Sequence, residues 1–202
     1  IIPKKIIIDE KNYGLAYNQD QVDVLKRGEE VLEKKPLVVI ADRGRGKSAV
    51  VGLLLAGLAD ILKRRKRWVD IYVTSPNFEN AQTLFEFAIK GLKKLGYEVK
   101  VLERAISAGP IKIDWIKPLQ LLEKKADLVA VDESAAIPIT FLLKIVEKFD
   151  RVIFASTIHG YEGAGRGFSV RFLNRLKRVK QPIICEMKSP IRYEENDPIE
   201  KW

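Results

Sequence analysis

The feature that most constrains the fold of this chain is a short apolar segment, residues 37–41, which runs into a glycine-containing turn and then into a long apolar helical pattern. The turn reads ADRGRGKS over residues 41–48. A strand that passes through such a turn into a helix points backbone N–H groups and the positive helix N-terminus at one place. The segment therefore predicts an α/β fold with an anion-binding turn.

The rest of the chain repeats the alternation of strand and helix patterns. Strands are predicted at 37–41, 69–75, 98–102, 127–133, 151–157 and 182–188. Helices are predicted at 19–34, 47–65, 78–95, 116–125, 138–149 and 168–178, and an irregular segment at 103–115. Near-continuous apolar strands that alternate with helices are typical of a mainly parallel sheet covered on both faces, so we expect a three-layer α/β domain.

The composition restricts the compartment and the partners of this protein. The chain has 202 residues, and none of its segments approaches the roughly 18 consecutive apolar residues of a membrane-spanning helix. Cys185 is the only cysteine, which excludes an internal disulfide and fits a reducing compartment. We therefore expect a cytoplasmic protein with no membrane partner. The formal net charge of +9 favours an anionic partner such as nucleic acid or a nucleotide.

The densest cluster of charge is KRRKR at residues 63–67, directly after an apolar helical pattern. Cations in a last helical turn complement the negative end of the helix dipole, so the cluster fits a solvated helix end. It also fits a nucleic-acid contact. The sequence leaves both interpretations open.

The turn at 41–48 matches the phosphate-binding pattern G-x-x-x-x-G-K-[ST] with one departure. Ala41 replaces the first glycine, and we expect this small residue to turn there as glycine would. Lys47 would reach the β- and γ-phosphates of a nucleoside triphosphate, and the Ser48 hydroxyl would ligate Mg²⁺. This is the pattern of a P-loop.

Two other interpretations of the turn are weaker. GRGKSA at 44–49 also fits the dinucleotide fingerprint G-x-G-x-x-G/A, but that fold requires an acidic residue about 20 residues further on, at the end of the second strand. KRRKR at 63–67 and VTSP at 73–76 occupy that region instead. An ordinary strand-to-helix turn would not need Gly-Lys-Ser. The sequence therefore favours a nucleoside triphosphate.

Hydrolysis of a triphosphate needs an acid that holds the metal and a base that activates water. The strand at 127–133 ends in a candidate for each. Asp132 would hold Mg²⁺ through water, and Glu133 would polarise the attacking water as general base. An acidic pair that only terminates a strand is the structural alternative. The next strand ends in Ser156 and Thr157, whose hydroxyls would sense the γ-phosphate.

A glycine-rich loop at 159–169 contains further candidates. Arg166 would stabilise phosphate charge in the transition state, as an arginine finger does, or would be a solvated loop residue. His159, the only histidine, is expected to position or pack rather than to act as an acid or base. One histidine and one cysteine do not suffice for a zinc site.

These stretches together resemble the RNA-helicase-like ATPase module of the tRNA(Met) cytidine acetyltransferase (TmcA) family. ADRGRGKSA at 41–49 is similar to that family's Walker A loop. VDESAAIP at 131–138 is similar to its Walker B motif, with Ser134 where the family usually has alanine. STIHGYEGAGRGFS at 156–169 is similar to its glycine-rich loop, with Ala164 in place of threonine. The other similar stretches are residues 73–87 and 190–202.

The resemblance implies a RecA-like P-loop NTPase over residues 1–202. Its parts would be a lead-in at 1–35, a core at 36–190 and a linker at 191–202, which would lead to an acetyltransferase domain outside this chain. The implied ligands are ATP, or GTP, with Mg²⁺. An adenine-reading contact falls on Gln21, which would otherwise be interpreted as a surface helix residue. The other implied nucleotide contacts are Ala41, Asp42, Arg43, Gly44, Arg45, Gly46, Lys47, Ser48, Ala49, Val50, Asp132 and Arg166.

In that family, hydrolysis of ATP or GTP accompanies transfer of an acetyl group from acetyl-CoA to N4 of a cytidine, which in bacterial and archaeal members is the wobble base of elongator tRNA(Met). The resemblance implies that this module couples hydrolysis to RNA positioning, while another part of the same protein binds acetyl-CoA. Two alternatives stay open. One is a nucleotide- and RNA-binding lobe with little turnover by itself, and the other is one lobe of a generic helicase.

Overall fold

An eight-stranded β-sheet forms the middle layer of the molecule. The structure, a computed structural model, describes residues 8–42, 46–157 and 164–188, and for residues 164–166 it describes the backbone alone. The strands are β1 (Leu37–Ala41), β2 (Val69–Thr74), β3 (Lys100–Val101), β4 (Ala105–Ala108), β5 (Ile111–Trp115), β6 (Leu128–Val131), β7 (Val152–Thr157) and β8 (Ile183–Met187).

Helices cover both faces of this sheet. The α-helices are α1 (Glu10–Tyr13), α2 (Gln19–Gly28), α3 (Lys47–Lys63), α4 (Gln82–Lys94), α5 (Pro118–Leu121), α6 (Ile139–Lys148) and α7 (Ala164–Val179). Short 3-10 turns occur at Glu29–Glu33, Phe78–Ala81 and Ser134–Ala136. None of the helices in the described ranges is long and apolar enough to cross a membrane.

The sheet is mainly parallel, as predicted. The strand order is β3-β4-β5-β2-β6-β7-β1-β8. From β5 to β8 in this order, neighbouring strands run parallel, whereas β4 is antiparallel to both β3 and β5. Parallel neighbours need crossover connections, and the helices between the strands provide them. The three-layer α/β architecture is therefore confirmed.

The prediction of an irregular segment at 103–115 is wrong. Strands β4 and β5 form an antiparallel hairpin there, in which Ile106 lies opposite Ile113. At the tip, Gly109 has a φ of 58°, which glycine adopts without strain. Strand β5 then pairs in parallel with β2, which is distant in sequence. Tertiary pairing thus stabilises strands whose local pattern is too short to be recognised.

Two apolar cores lie on opposite faces of the sheet. Helices α2, α3 and α4 pack on the face that includes Val39, and α6 and α7 pack on the face that includes Val38. This separation follows from the alternation of side chains along a strand. The first core is tightest between α3 and α4, where a Cβ atom at Gly52 would lie 2.2 Å from the carbonyl oxygen of Leu84. Close approach of the two backbones therefore requires glycine at this position.

The ends of the first long helices depend on local chemistry. The helix predicted at 19–34 divides into α2 and the 3-10 turn Glu29–Glu33, which ends at Lys34 with a φ of 65°. The Asn18 side chain accepts the N–H of Gln21 and so caps α2. Gly96, with a φ of 94°, follows the end of α4, where glycine commonly stops a helix.

Two later helices differ from prediction in length. Helix α5 spans Pro118–Leu121 rather than 116–125. Helix α7 begins at Ala164, so the predicted loop at 159–169 is wrong from residue 164 onward. A glycine inside a helix costs only about 1 kcal/mol relative to alanine. Burial of Phe168 and Phe172 in the second core offsets this cost.

Candidate nucleotide-binding site

The predicted site residues at the ends of β1, β6 and β7 lie at one edge of the sheet. Ala41, the last residue of β1, is in register with Thr157, the last residue of β7. Strand β6 pairs with β7 and passes directly into Asp132 and Glu133. The carboxyl ends of parallel strands are where open α/β sheets bind their ligands.

Of the turn after β1, the structure describes the two ends, at Asp42 and at Gly46. Ala41 belongs to β1 and is buried, so the expectation that it turns the chain is wrong: its pairing with two neighbouring strands extends β1 through this residue. The turn begins at Asp42, which is exposed. At its other end Gly46 has a φ of 79°, a conformation that favours glycine, and α3 begins at Lys47. Outside the described residues lie the predicted contacts Arg43, Gly44 and Arg45.

The first turn of α3 supplies backbone donors for an anion. A helix leaves its first N–H groups without intrahelical partners and carries partial positive charge there. The N–H of Val50 donates to the carbonyl of Gly46 at 3.0 Å, so the helical ladder begins at this residue. The side chains of Ala49 and Val50 lie in the core. Within the described ranges, the N–H groups of residues 47–49 precede this first bond and can face a phosphate, whereas the N–H of the predicted contact Val50 is already engaged.

An ion pair between Lys47 and Glu133 occupies the centre of the site. Lys47 Nζ lies 3.2 Å from Glu133 Oε1, and the Thr157 hydroxyl donates to the same oxygen at 3.4 Å. The Lys47 side chain is 9% exposed and that of Glu133 is 34% exposed, so the pair meets solvent on the carboxylate side. The structure thus brings together the predicted phosphate-binding lysine, the predicted base and one predicted hydroxyl.

Asp132 lies beside this pair and is fully buried. Its Oδ1 accepts the backbone N–H of Glu133 at 2.9 Å, while its Oδ2 has no hydrogen-bond partner among the described residues. Burial raises the pKa of Asp132 to about 6, against the lowering effects of the Lys47 cation, the Ser48 hydroxyl and the Glu133 N–H. A buried carboxylate oxygen without a partner is costly, and a cation placed there would remove the cost.

The surroundings of Asp132 fit a magnesium ion that is held partly by a nucleotide. In nucleotide sites Mg²⁺ takes one or two protein oxygens together with phosphates and water. Ser48 is half-buried, and its hydroxyl is close enough to Asp132 to lower the pKa of that carboxyl. In the part of the chain that the structure describes, no group of three or more His, Cys, Asp or Glu side chains is placed to hold a metal. Phosphate oxygens and water would complete the coordination.

The backbone at Glu133 adopts a strained conformation. Its φ of 48° and ψ of 45° are left-handed, which costs a non-glycine residue about 1–2 kcal/mol. The next residue, Ser134, is fully buried and donates its hydroxyl to the carbonyl of Ala155 at 2.9 Å. This bond ties the turn after β6 to β7, and it gives a structural role to the serine that departs from the family's alanine.

Gln21 contacts the phosphate turn through its amide group. The local sequence pattern predicts that Gln21 lies on the surface of its helix. This prediction is wrong, because the side chain is fully buried. Its Nε2 donates to the carbonyl of Gly46 at 3.1 Å, and its Oε1 accepts the N–H of Tyr17 at 2.7 Å. The sequence does not predict the contact of Tyr17, because it is formed by a backbone N–H, which does not depend on the type of side chain. The adenine-reading role of Gln21 stays a prediction.

The remaining predicted residues are placed only in part. Ser156 precedes Thr157 in β7 and is buried, and its hydroxyl has no partner among the described residues. The backbone of Arg166 lies in the first turn of α7, but its side chain is outside the described part of the chain. His159 is also outside it.

Comparison with known proteins decides the family. The family model described as "RNA cytidine acetyltransferase NAT10/TcmA, helicase domain" matches residues 38–202. The chain belongs to this family. It is 45% identical to the tRNA(Met) cytidine acetyltransferase TmcA of Thermofilum pendens, over 100% of this chain and 27% of that protein. It is 44% identical to the TmcA of Thermococcus kodakarensis, over 100% of this chain and 25% of that protein. This NAT10/TcmA-type domain therefore spans about a quarter of the length of these relatives.

Solved structures support the fold of the NAT10/TcmA-type domain. The large terminase of a thermophilic bacteriophage in complex with ATP-gamma-S superposes with a TM-score of 0.64, at 14% identity, over 86% of this chain and 45% of that chain. The large terminase ATPase domain of a Thermus phage gives a TM-score of 0.55, at 16% identity, over 81% and 72% of the two chains. At these identities the likeness establishes the P-loop ATPase fold alone.

Proposed function

We propose that this chain is the ATP-binding and ATP-hydrolysing module of a tRNA(Met) cytidine N4-acetyltransferase. The observation that carries the proposal is the 3.2 Å contact between Lys47 and Glu133 beside the buried carboxyl of Asp132. Lysine, hydroxyl, metal-holding carboxylate and base are the parts that phosphoryl transfer to water requires. One terminase that shares the fold, that of the thermophilic bacteriophage, has been solved in complex with ATP-gamma-S and with ADP.

Each residue has a defined role in this proposal. When a triphosphate binds, the Lys47 ammonium leaves Glu133 and pairs with the phosphates, because three phosphate oxygens carry more negative charge than one carboxylate. Ser48 and Asp132 would hold Mg²⁺, which would neutralise phosphate charge when bound. The freed Glu133 carboxylate then accepts a proton from the attacking water, and Thr157 orients that carboxylate. Arg166, in the first turn of α7, is proposed to stabilise the transition state.

The partners of the module follow from its family and its charge. The relatives are named tRNA(Met) cytidine acetyltransferases, and the net charge of +9 suits a polyanion. We infer that hydrolysis positions an RNA, tRNA(Met) in the first instance, so that its cytidine leaves the base stack. Extrusion of a base costs a few kcal/mol, which ATP hydrolysis can supply. Acetyl-CoA would bind to a transferase domain elsewhere in the full protein, in the cytoplasm.

A second candidate function is a lobe that binds nucleotide and RNA with little turnover by itself. The same ion pair favours it, because a carboxylate held by Lys47 is not free to activate water. In this alternative, a second lobe or domain would have to release Glu133. The match to the NAT10/TcmA helicase domain does not support the third alternative, one lobe of a generic helicase, because the matched domain belongs to the cytidine acetyltransferase family.

Steady-state ATP hydrolysis by this chain, with and without tRNA(Met), distinguishes these candidates. Wild type, Glu133→Gln and Lys47→Ala would be compared at saturating Mg²⁺. The proposed ATPase predicts turnover that rises with tRNA, falls about 10²- to 10⁴-fold in Glu133→Gln and is lost with nucleotide binding in Lys47→Ala. Undiminished turnover in Glu133→Gln would contradict the assignment of the base. Absence of turnover together with Lys47-dependent ATP binding would favour the second candidate.

A further inference from the structure

A surface far from the nucleotide site combines the basic cluster with an exposed tryptophan. The basic-aromatic surface consists of residues 63–68, all of which are exposed, and Trp68 is 60% exposed. Helix α3 runs from Lys47 to Lys63, 17 residues or about 25 Å, so the two surfaces lie at opposite ends of this helix. The basic-aromatic surface is therefore at the amino-terminal edge of the sheet, where β2 begins.

Some of its cations have structural partners. Arg64 pairs with Asp60 at 3.2 Å, one helical turn earlier. Lys63 Nζ lies 4.7 Å from the centre of the Tyr97 ring. Both contacts fasten the last turn of α3, as a solvated helix end would be fastened. The helix-end interpretation of the cluster is thus adequate for these two residues.

The segment that carries Trp68 is held rigidly. Lys66 forms an ion pair with Asp127, whose second carboxylate oxygen accepts the N–H of Asp70 at 2.8 Å. The N–H of Asp127 in turn donates to the carbonyl of Asp70 at 2.8 Å. These bonds lock the residues on either side of Trp68 to the beginning of β6. A rigid base lowers the entropy cost of binding through the exposed ring.

The helix-end interpretation does not account for the remaining three residues. The side chain of Arg65 has no ion pair or hydrogen bond within the described ranges of the chain. The Arg67 guanidinium lies 5.9 Å from the centre of the Trp68 ring. Two cations within three residues of an exposed aromatic ring, one of them against the ring itself, match the chemistry of single-stranded nucleic acid, in which phosphates alternate with flat bases.

We propose that the basic-aromatic surface binds a single-stranded segment of RNA. Trp68 stacks on one base, and Arg65 and Arg67 contact the flanking phosphates. A single strand is required because the bases of a duplex are stacked on each other and offer no free face. The inference rests on the proposed function in one respect, namely that RNA is a partner of this module.

Charge favours RNA over an apolar protein partner at this surface. Of the acids near it, Asp60 and Asp127 are already engaged by Arg64 and Lys66, whereas Asp70 is exposed and forms no ion pair within the described ranges, so the six-residue surface keeps a positive excess. An apolar partner would bury Arg65 and Arg67 without counter-charges, which is costly. Farther along the same edge, the exposed residues Lys124 and Lys125 extend the positive charge.

The position of this surface determines what it can do. At about 25 Å from Lys47 along α3, a bound base cannot touch the reacting phosphate. The surface therefore holds the RNA without taking part in hydrolysis. Substitutions that remove the basic-aromatic surface should raise the RNA concentration needed for half-maximal stimulation of the ATPase. The maximal turnover at saturating RNA should stay unchanged.

Fluorescence anisotropy with a short fluorescein-labelled oligouridylate, over a range of salt concentrations, tests the proposal. Trp68→Ala should weaken binding roughly 5- to 150-fold, and Trp68→Phe should retain most of the affinity because a ring remains. The double variant Arg65→Gln with Arg67→Gln should reduce the slope of log K against log salt by about 1.4, or about 0.7 for each phosphate that an arginine no longer neutralises.

A matched control separates this surface from general electrostatics. Lys177 and Arg178 are adjacent, exposed and in the last turn of α7, on the opposite face of the sheet. Changing both to glutamine removes the same charge, and the proposal expects a smaller loss of affinity and of salt slope than at Arg65 and Arg67. Thermal unfolding of each variant would verify that the fold is intact.

The possible results are distinguishable. Wild-type affinity in Trp68→Ala, or equal losses in the two double variants, would overturn the proposed surface and leave the RNA-coupled ATPase in place. A surface that serves as a domain interface would give this result. Absence of salt-dependent RNA binding by the wild-type chain would overturn the RNA part of the proposed function together with this inference.

Discussion

Lys47 and Glu133 are separated by 86 positions in the sequence, yet Nζ of one lies 3.2 Å from Oε1 of the other. The contact arises because the strands before them, β1 and β6, end on either side of β7. It joins the residue proposed to bind phosphate to the residue proposed to activate water. Binding of a triphosphate and release of the base would thus be one event.

The first prediction concerns nucleotide affinity in Glu133→Gln. A neutral amide releases Lys47 from a partly exposed ion pair, which is worth about 0.5–1 kcal/mol. ATP should therefore bind about two- to five-fold more tightly than to wild type, even though hydrolysis is lost. Isothermal titration with Mg²⁺-ATP measures this, and Glu147→Gln, at an exposed position on α6, serves as the control. Weaker binding in Glu133→Gln would mean that the ion pair does not compete with the nucleotide.

The second prediction concerns the pH dependence of stability at Asp132. Its folded-state pKa of about 6 lies above the ordinary value of 3.8, so the folded chain holds the proton more tightly than the unfolded chain does. The free energy of unfolding therefore falls as pH rises from about 4 to 6. Above that range Asp132 is ionised in both states and causes no further loss of stability. At pH 8 the free energy of unfolding of Asp132→Asn should exceed that of wild type by on the order of 1–3 kcal/mol, and near pH 4 the two should differ little.

Urea unfolding in the presence of a chelator, over a series of pH values, measures this effect. Asp150→Asn is the matched control, because that aspartate is exposed and pairs only with the exposed Lys34 among the described residues. A lower stability of Asp132→Asn at pH 8 would show that the buried carboxylate stabilises the empty site. The same substitution should weaken Mg²⁺-dependent ATP binding.

The third prediction concerns the contact between α3 and α4. A methyl group at Gly52 would lie 2.2 Å from the carbonyl oxygen of Leu84 and 2.9 Å from the N atom of Ala88. Since backbone cannot move aside cheaply, Gly52→Ala should lower the free energy of unfolding by about 1–3 kcal/mol. Gly167→Ala, in α7, meets nothing closer than 3.6 Å among the described atoms and should be neutral or slightly stabilising. Equal effects of the two substitutions in urea unfolding would contradict the packing argument.

The fourth prediction concerns the amide of Gln21. Gln21→Ala removes the bonds to the N–H of Tyr17 and to the carbonyl of Gly46, which should cost about 1–3 kcal/mol of stability. Because Gly46 ends the phosphate turn, ATP affinity should fall as well. Gln19→Ala, in the same helix but exposed, should change both quantities little. If stability is lost while ATP affinity is kept, Gln21 supports the fold alone.

Local sequence patterns are sufficient to predict the type of fold and the chemical groups of the site. The strand at 37–41 and the start of α3 at Lys47 are as predicted, because apolar runs and glycines act through local backbone preferences. The end of β6 directly before Asp132 and Glu133 is predicted equally well, since a buried strand that ends in two acids is a local pattern.

The contacts between these groups depend on how the strands and helices assemble. The hairpin of β4 and β5 exists because β5 pairs with β2, and a strand of this length needs such a neighbour to be stable. Gln21 looked like a surface residue until α2 packed against the phosphate turn and buried it. The raised pKa of Asp132 and the pairing of Lys47 with Glu133 depend on burial and on strand order, which are properties of the assembled sheet and cannot be read from any one segment.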